Sequence, residues 1–387
     1  MLNKKIILAV IQVSFDYQRR ILRGMRRFAL QRPEWEVHLC SYDGHMSERI
    51  GSYFKPAGII GYFRKGDSFG EDLELARRLS GNRVVGVSGW ETHLSLPRVV
   101  SDDERIAASA SDFFLSRGFR NFLFAGDTGK PPHGASVERG KAFREILRKA
   151  GHSVKEATPD EVFSASFHLD LPCAAFAFND ITARRLVDAL AKRGYAVPED
   201  VAVLGVDNDP FEGELSAVPL SSIITDAEGV GYEAARILDQ MLSGVEVADG
   251  VVKRIPPLRI AERTSTDMFA AENPFLRKAL HLIRSEITQI RTVAEIASLA
   301  GTSRRVLEKG FRKHLGRSVY ELMQEARVNY AKRLLLETDL SITEASYTAG
   351  FSDPRMLSVI FRRLTGETPS GFRKRNQPDL ASARLRG

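Results

Sequence analysis

Polar side chains stand where the apolar runs of this 387-residue chain break off. Asp16 follows the run Ile6–Val13, and Trp90 follows Val84–Val87. Asp127 follows Phe124-Ala125, Asn179-Asp180 follows Phe178, and Asp207-Asn208-Asp209 follows Val206. Arg139 stands near the start of an amphipathic stretch. Carboxylates and a guanidinium bind vicinal hydroxyls with paired hydrogen bonds, and an aromatic face packs on ring C–H groups. The chemistry such a set suits is recognition of a sugar. The competing reading of each Asp or Asn is a helix cap or a turn former.

A second set lies far along the chain. Thr292-Val-Ala-Glu295 and Ser341-Ile-Thr-Glu344 are both capping-box patterns, 49 residues apart. Each opens a short helical stretch that ends at a Gly, Gly301 and Gly350. A second polar-faced helix follows each, from Arg304 to His314 and from Arg355 to Leu364. Short helix, Gly turn and second helix make a helix-turn-helix, here present twice. Expected core positions are Ile296, Leu299, Val306, Leu307 and Phe311, then Ala345, Met356, Leu357, Ile360 and Phe361. A helix from about Val319 to Glu337 spaces the copies. Two such units can place two recognition helices in successive major grooves, about 34 Å apart.

The charge distribution agrees. The net charge is +7 and the pI about 9.4. Residues 271–387 hold 21 basic and 12 acidic residues, whereas the first 270 hold 35 and 37. The basicity therefore belongs to the part with the helix-turn-helix pattern, as in a nucleic-acid-binding module.

Catalytic patterns are weak. No G-x-G-x-x-G follows the first strand, and Gly126-Asp-Thr-Gly-Lys130 only superficially resembles a phosphate loop. Gly86-Val-Ser-Gly89 lacks the spacing of a nucleophile elbow. The eight His include no i, i+4 pair for a metal. Neither an enzyme nor a bound cofactor or metal is expected. The two cysteines, Cys40 and Cys173, cannot form a disulfide scaffold and read as core thiols. No apolar run approaches the ~20 residues that span a membrane. Lys4-Lys5 before Ile6–Val13 has no small-residue cleavage site after it, so a first strand is the better reading than a secretion signal. These features point to a cytoplasmic protein.

The elements that must position the first set alternate. Strands are predicted at Ile6–Val13, Gly58–Tyr62, Val84–Val87, Asn121–Ala125, Cys173–Phe178, Val201–Val206 and Ser221–Ile224. Helices are predicted at Tyr17–Leu30, Glu71–Leu79, Asp103–Arg117, Val137–Ala150, Ile181–Arg193 and Glu228–Leu242. A last extended run covers Val251–Ile260, with Pro256-Pro257 inside. This alternation implies parallel sheets covered by helices on both faces, with ligands outside the strand carboxyl ends. Glu262–Ala271 reads as a linker, and Asn273-Pro274 as the start of a helix reaching about Thr288.

Several runs carry family resemblances. Ala177-Phe-Asn-Asp180 and Pro198-Glu-Asp-Val-Ala-Val-Leu-Gly-Val-Asp-Asn208 resemble motifs of LacI/GalR regulators and periplasmic sugar-binding proteins. Ser136-Val-Glu-Arg-Gly140 is similar to the region in which an Arg of that family contacts the effector. The resemblance implies a two-lobed, type I periplasmic-binding-protein-like α/β domain over 1–265, with the effector in the cleft. The crossings between lobes would fall near 100–102, 225–226 and 255–257. Asp16, Trp90, Arg139, Asp180, Asp207 and Asn208 become the expected effector-binding residues. LacI-type regulators carry their DNA-binding head ahead of this domain, whereas here the first strand begins at once.

The head is expected at the other end. Val293-Ala-Glu-Ile-Ala, Ser303-x-Arg-x-Leu-x-Lys-x-Phe311, Ala349-Gly-Phe351 and Gly366-x-x-Pro369-x-x-Phe372-Arg373 resemble the AraC/XylS DNA-binding domain. An all-α double helix-turn-helix domain over 274–387 follows, after a linker at 266–273. The resemblance places Arg304, Arg305, Glu308 and Lys309 of the first recognition helix on DNA. In the second it places Arg355, Met356, Ser358 and Val359, with Arg362 and Arg363 on phosphates. Val359 stands where many members have a polar or Arg residue, which suits contact with thymine methyls. Gly310 inside a recognition helix costs about 1 kcal/mol of helix propensity relative to Ala.

The combined order is similar to regulators of xylose operons. It implies a sugar-responsive transcription regulator, an activator working as a homodimer with an operator and RNA polymerase. The effector would be xylose or a similar sugar. A non-pentose effector, a repressor, or a sugar-binding protein or enzyme without DNA output are the alternatives.

Overall fold

The computed structural model describes residues 4–41, 53–63, 69–88, 96–129, 132–164, 166–267, 274–315 and 317–376. The chain divides into two compact units, residues 1–268 and 269–387.

The first unit holds two six-stranded sheets. β1 (Lys5–Ile11), β2 (Trp35–Ser41), β3 (Gly58–Gly61), β4 (Val84–Gly86) and β5 (Arg98–Ser101) lie in one sheet. β6 (Asn121–Ala125), β7 (Val154–Ala157), β8 (Cys173–Ala177), β9 (Val201–Val206) and β10 (Ser221–Ile224) lie in the other. β11 (Val252–Ile255) returns to the first sheet and β12 (Arg259–Ala261) to the second. The orders are β11-β5-β4-β3-β1-β2 and β12-β10-β9-β8-β6-β7. Every pairing is parallel except β10 with β12.

Side-chain alternation explains how these strands become a two-sided core. Ile7, Ala9 and Ile11 face a cluster with Ile21, Met25, Val230, Ala234 and Leu238 of the helices Asp16–Ala29 and Ala227–Leu242. Leu8 and Val10 face the opposite cluster, with Leu73 and Ala76 of the helix Phe69–Ser80. In the second sheet Leu123, Ala175 and Val203 pack on Leu186 and Leu190 of the helix Asp180–Lys192. Phe122, Phe124 and Phe176 point the other way, onto Phe143 of the helix Gly134–Lys149. Cys173 is a buried thiol whose pKa burial pushes up to about 12. Cys40 is only half-buried beside the edge-side cluster, so it is not the core thiol that its apolar run suggests.

The chain crosses between lobes three times. It leaves the first sheet after Ser101, where Asp102 caps the helix Asp103–Ser116. It returns after Ile224, where Asp226 caps Ala227–Leu242. It crosses again between Ile255 and Arg259. The extended run over 251–260 is two strands in different sheets, with the crossing expected near 255–257 lying at Pro256-Pro257 between them. Proline cannot donate to a ladder, which is why the run breaks there. Beyond β12 the chain stays docked. Ser265 is fully buried and donates to the Val203 carbonyl at 2.6 Å, and Thr266 donates to Ser221 Oγ at 2.6 Å.

The second unit is helical. Its helices are Pro274–Ser285, Val293–Ala300, Arg304–Leu315, Val319–Glu337, Ile342–Thr348, Pro354–Thr365 and Pro369–Asn376. It has two cores. Leu276, Leu280, Ile296, Leu307 and Phe311 form the first, closed by Val319 and Met323. Val328, Ala331 and Leu335 from the other end of the same long helix join Ala345, Leu357, Ile360 and Phe361 in the second. The long helix therefore couples two helix-turn-helix units while contributing to both.

Candidate functional sites: a cleft between two lobes and two recognition helices

The strand-end residues meet in a cavity of about 290 Å³ in the first unit. Its lining includes Asp16, Tyr17, Asp103, Arg139, Asp180 and Asp207. Asp16 opens its helix and forms an ion pair with Arg20, with 3.0 Å between its carboxylate and Arg20 Nε. Arg20 reaches on to the other lobe, donating to the Asp207 carbonyl at 2.5 Å and the Thr225 carbonyl at 3.1 Å. Two expected residues, Asp16 and Asp207, are thereby joined through a guanidinium that the sequence reading passed over.

Arg139 lies at the centre. Its Nε donates to Asp103 Oδ1 at 2.7 Å, and a terminal nitrogen donates to the Phe178 carbonyl. Both side chains of the ion pair are buried. Burial works against the Arg139 charge, but Asp103 and Asp207 beside it outweigh that and hold its pKa above the ordinary value. Burial also raises the pKa of Asp103, although Arg139 opposes the shift. Asp207 is raised by burial against the pull of Arg139 and Arg20. Asp180 is raised well above the ordinary carboxylate range, by burial and then by the Asp207 charge. Its Oδ2 accepts from the Asp209 N–H at 2.8 Å and its Oδ1 from Ser222 at 2.7 Å. Asp180 therefore both lines the cavity and pins the loop that follows β9. Asn179 caps the helix at Thr182, as the capping alternative allowed.

Two expected residues are not in this group. Asn208 adopts a left-handed backbone with φ 55°, and its side chain accepts from Arg263 at 2.7 Å, outside the cavity lining. The structure therefore does not bring Asn208 together with the other expected effector residues. Trp90 lies outside the described residues. Asp103, Tyr17, Tyr62 and His133 also line the cavity, beyond the residues expected there. Asp103 follows the end of β5, so the strand-end rule applied there points to it. Tyr17 donates to or accepts from Ser101 Oγ at 2.9 Å, and burial pushes its pKa up to about 12. Among the described residues no group of three His, Cys, Asp or Glu is placed to hold a metal ion.

The second site is a pair of outward faces. In the first recognition helix, Arg304–Leu315, the side chains of Arg304, Arg305, Lys309, Arg312 and Lys313 are exposed. Leu307 and Phe311 are fully buried beneath them. Glu308 is half-buried and pairs with Arg304 at 3.2 Å, so those two share one surface. Val306 is 49% exposed and Leu299 is 48% exposed, so neither is the core residue expected. Val306 precedes Leu307 by about 100° of helix rotation, which turns it from the core. Gly310 has a packing reason. A Cβ there would meet Leu276 Cδ2 at 2.7 Å, so glycine lets the helix lie against Pro274–Ser285.

In the second recognition helix, Pro354–Thr365, Arg355, Met356, Val359 and Arg362 are exposed and Ser358 is half-buried. Met356 belongs to this outer face and not to the core. Val359 is 69% exposed, on the face opposite Leu357 and Phe361. Arg363 donates to Gln324 at 2.7 Å, which ties it to the long helix and not to the outer face. Gly301 and Gly350, with φ of 80° and 85°, make the two turns. Ser341 and Glu344 form the reciprocal capping box expected. Thr292 caps Glu295 N–H, but the Glu295 carboxylate reaches back to Arg291 N–H instead. A further capping box, Ser318 with Glu321, starts the long helix.

The family profile of a periplasmic binding protein-like domain matches residues 111–266. A helix-turn-helix domain profile matches residues 296–375. The xylose operon regulatory protein of Escherichia coli (strain K12) is 26% identical, over 93% of this chain and 94% of its own length. That of Haemophilus influenzae is 27% identical, over 72% of this chain and 74% of its own. The solved structure of a xylose-binding transcription activator superposes with a TM-score of 0.73 at 24% identity, covering 97% of this chain and all of that one. The chain joins a periplasmic binding protein-like domain to a C-terminal helix-turn-helix domain, the architecture of the xylose operon regulatory proteins to which it is similar.

Proposed function

We propose that the chain is a sugar-responsive DNA-binding transcription regulator, an activator of a xylose or related carbohydrate-utilisation operon. The observation that carries this is the pairing of sites on one chain. A buried Arg139 with Asp103, Asp180 and Asp207 faces one cavity, and two basic or apolar recognition helices follow. Full-length similarity to xylose operon regulatory proteins supports the same reading.

The effector is a neutral sugar. Aspartates line the cavity from both lobes, and its two arginines are engaged: Arg139 with Asp103, and Arg185 with Asp160. A phosphorylated sugar would bring a dianion among carboxylates, with no uncommitted cation among the described lining residues to meet it. The cavity is near the lower bound of ~300 Å³ for small-molecule sites, which suits a monosaccharide. Sugar contacts Asp16, Arg139, Asp180 and Asp207 and favours one relative placement of the lobes. The operator is engaged by a cytoplasmic homodimer and RNA polymerase is the downstream partner. The effector domain covers 1–265, with Thr266 at the start of the 266–273 linker still docked on it through Ser221, and 274–387 is the DNA-binding domain.

A thermal-melt panel of the intact protein with pentoses, hexoses and their phosphates tests this. A ligand at 100 times its Kd adds about 2.7 kcal/mol to the folded state. A shift with D-xylose and none with xylose phosphate is expected. A shift with a sugar phosphate alone contradicts the neutral-sugar reading.

A further inference from the structure

We infer that Tyr62 and His133 form a latch across the cleft that sets how long the effector stays bound. Tyr62 follows β3 in the first lobe, whereas His133 caps the helix Gly134–Lys149 in the second. Tyr62 Oη and His133 Nε2 are 2.9 Å apart, and both residues line the cavity.

The histidine is held for this contact from three sides. Its backbone N–H donates to Asp127 Oδ2 at 2.8 Å. Its Nδ1 accepts from the Ala135 N–H at 3.1 Å. Its ring stacks on Phe178 at 6.1 Å, with 27° between the planes. Because Nδ1 accepts, the neutral ring carries its proton on Nε2, and Nε2–H donates to the tyrosine oxygen. The capping bond therefore fixes the tautomer that makes the cross-cleft bond. Tyr62 is anchored too, since its backbone N–H donates to the Val10 carbonyl at 2.8 Å and its ring packs on the first-lobe core. Each partner sits on a fixed element of a different lobe. The bond forms only when those lobes stand at one separation, so it favours that state over a more open one. The same helix carries Arg139, which links the latch to the effector contacts.

The ligand half of this inference rests on the sugar-effector reading, and the bond itself does not. The test uses four full-length proteins: wild type, Tyr62→Phe, His133→Asn and the double variant. Asn keeps a helix-capping side chain at position 133. Urea unfolding without ligand reads the bond by a double-mutant cycle. Non-additivity, with the double variant no less stable than the weaker single, is expected, and strictly additive losses overturn the latch. Stopped-flow release of D-xylose reads its function. Each single variant is expected to release sugar about two- to tenfold faster, the net worth of one neutral hydrogen bond, and the double no faster than either. Unchanged release in Tyr62→Phe overturns the latch even if sugar binds. If D-xylose binds none of the four, wild type included, the effector reading has failed for that sugar and the urea cycle alone decides the latch.

Discussion

Replacing Arg139 by Met separates what this residue does for the fold from what it does for ligand. Arg139 is 4% exposed, and its guanidinium donates to Asp103 at 2.7 Å and also to the Phe178 carbonyl. Met keeps much of the length and no charge. Asp103 then stays in a buried site without its cation, and removing one partner of a buried pair costs about 3–5 kcal/mol. Protonation of Asp103 limits the loss, because burial already raises its pKa. Against a typical domain stability of about 5–15 kcal/mol this is a large fraction. Removing both charges, in Arg139→Met with Asp103→Leu, takes away the uncompensated carboxylate. Such replacements are often neutral or better, so the double variant is expected to recover at least half of the loss. Sugar affinity behaves otherwise. A hydrogen bond from a charged group is worth about 1.5–3 kcal/mol, so single and double variants both lose roughly ten- to hundredfold in affinity. Urea unfolding and calorimetric titration of full-length protein give the two quantities. A double variant as unstable as the single refutes the electrostatic account. A double variant that binds sugar like wild type refutes the contact.

Further outcomes follow from the same geometry. Gly205→Ala places a Cβ 2.1 Å from Asp180 Oδ1, so the carboxylate must leave Ser222 or Asp209. A loss of about 1–3 kcal/mol by urea unfolding is expected, together with weaker sugar binding. Asp180→Asn tests the sign of its pKa shift. A carboxyl whose pKa is raised on folding contributes stability below the unfolded value of about 3.9 and loses it as pH rises through the raised value. The Asn variant therefore gains on wild type between about pH 4 and pH 7, and a gap that shrinks over that range contradicts the assignment. In the DNA-binding unit, Arg305→Ala relaxes selection at one base position by about 1–3 kcal/mol, whereas Val359→Ala affects only sites presenting a thymine methyl. Binding to a randomised DNA pool distinguishes them, and equal effects on all sequences would reduce Arg305 to a phosphate contact.

The parts legible in the sequence were those written in short spans. Ser341 and Glu344 sit three residues apart and cap one turn, and Gly350 marks the next turn by its positive φ. Asp16, Asp180 and Asp207 were legible because strand ends face the cleft in this topology. What was hidden depends on where the chain crosses between lobes. Arg20 and Thr225 are 205 positions apart, and Tyr62 and His133 are 71 apart, so no local pattern announces either contact. Asn208 misled because a left-handed backbone turns its side chain to Arg263. Val306 misled because apolar residues on a recognition helix serve its outer face as well as its core, and Met356, expected on both faces, lies on the outer one.

Sugar in the cleft and DNA on the recognition helices are expected to be coupled. Linkage requires that sugar change DNA affinity by the same factor that DNA changes sugar affinity. The direct measurement is the Kd of the full-length protein for a DNA site selected from a random pool, with and without saturating D-xylose, and the Kd for D-xylose with and without that DNA. Equal factors, both different from one, are expected, with loss of both in Arg139→Met with Asp103→Leu. D-xylose that binds while leaving DNA affinity unchanged would contradict it.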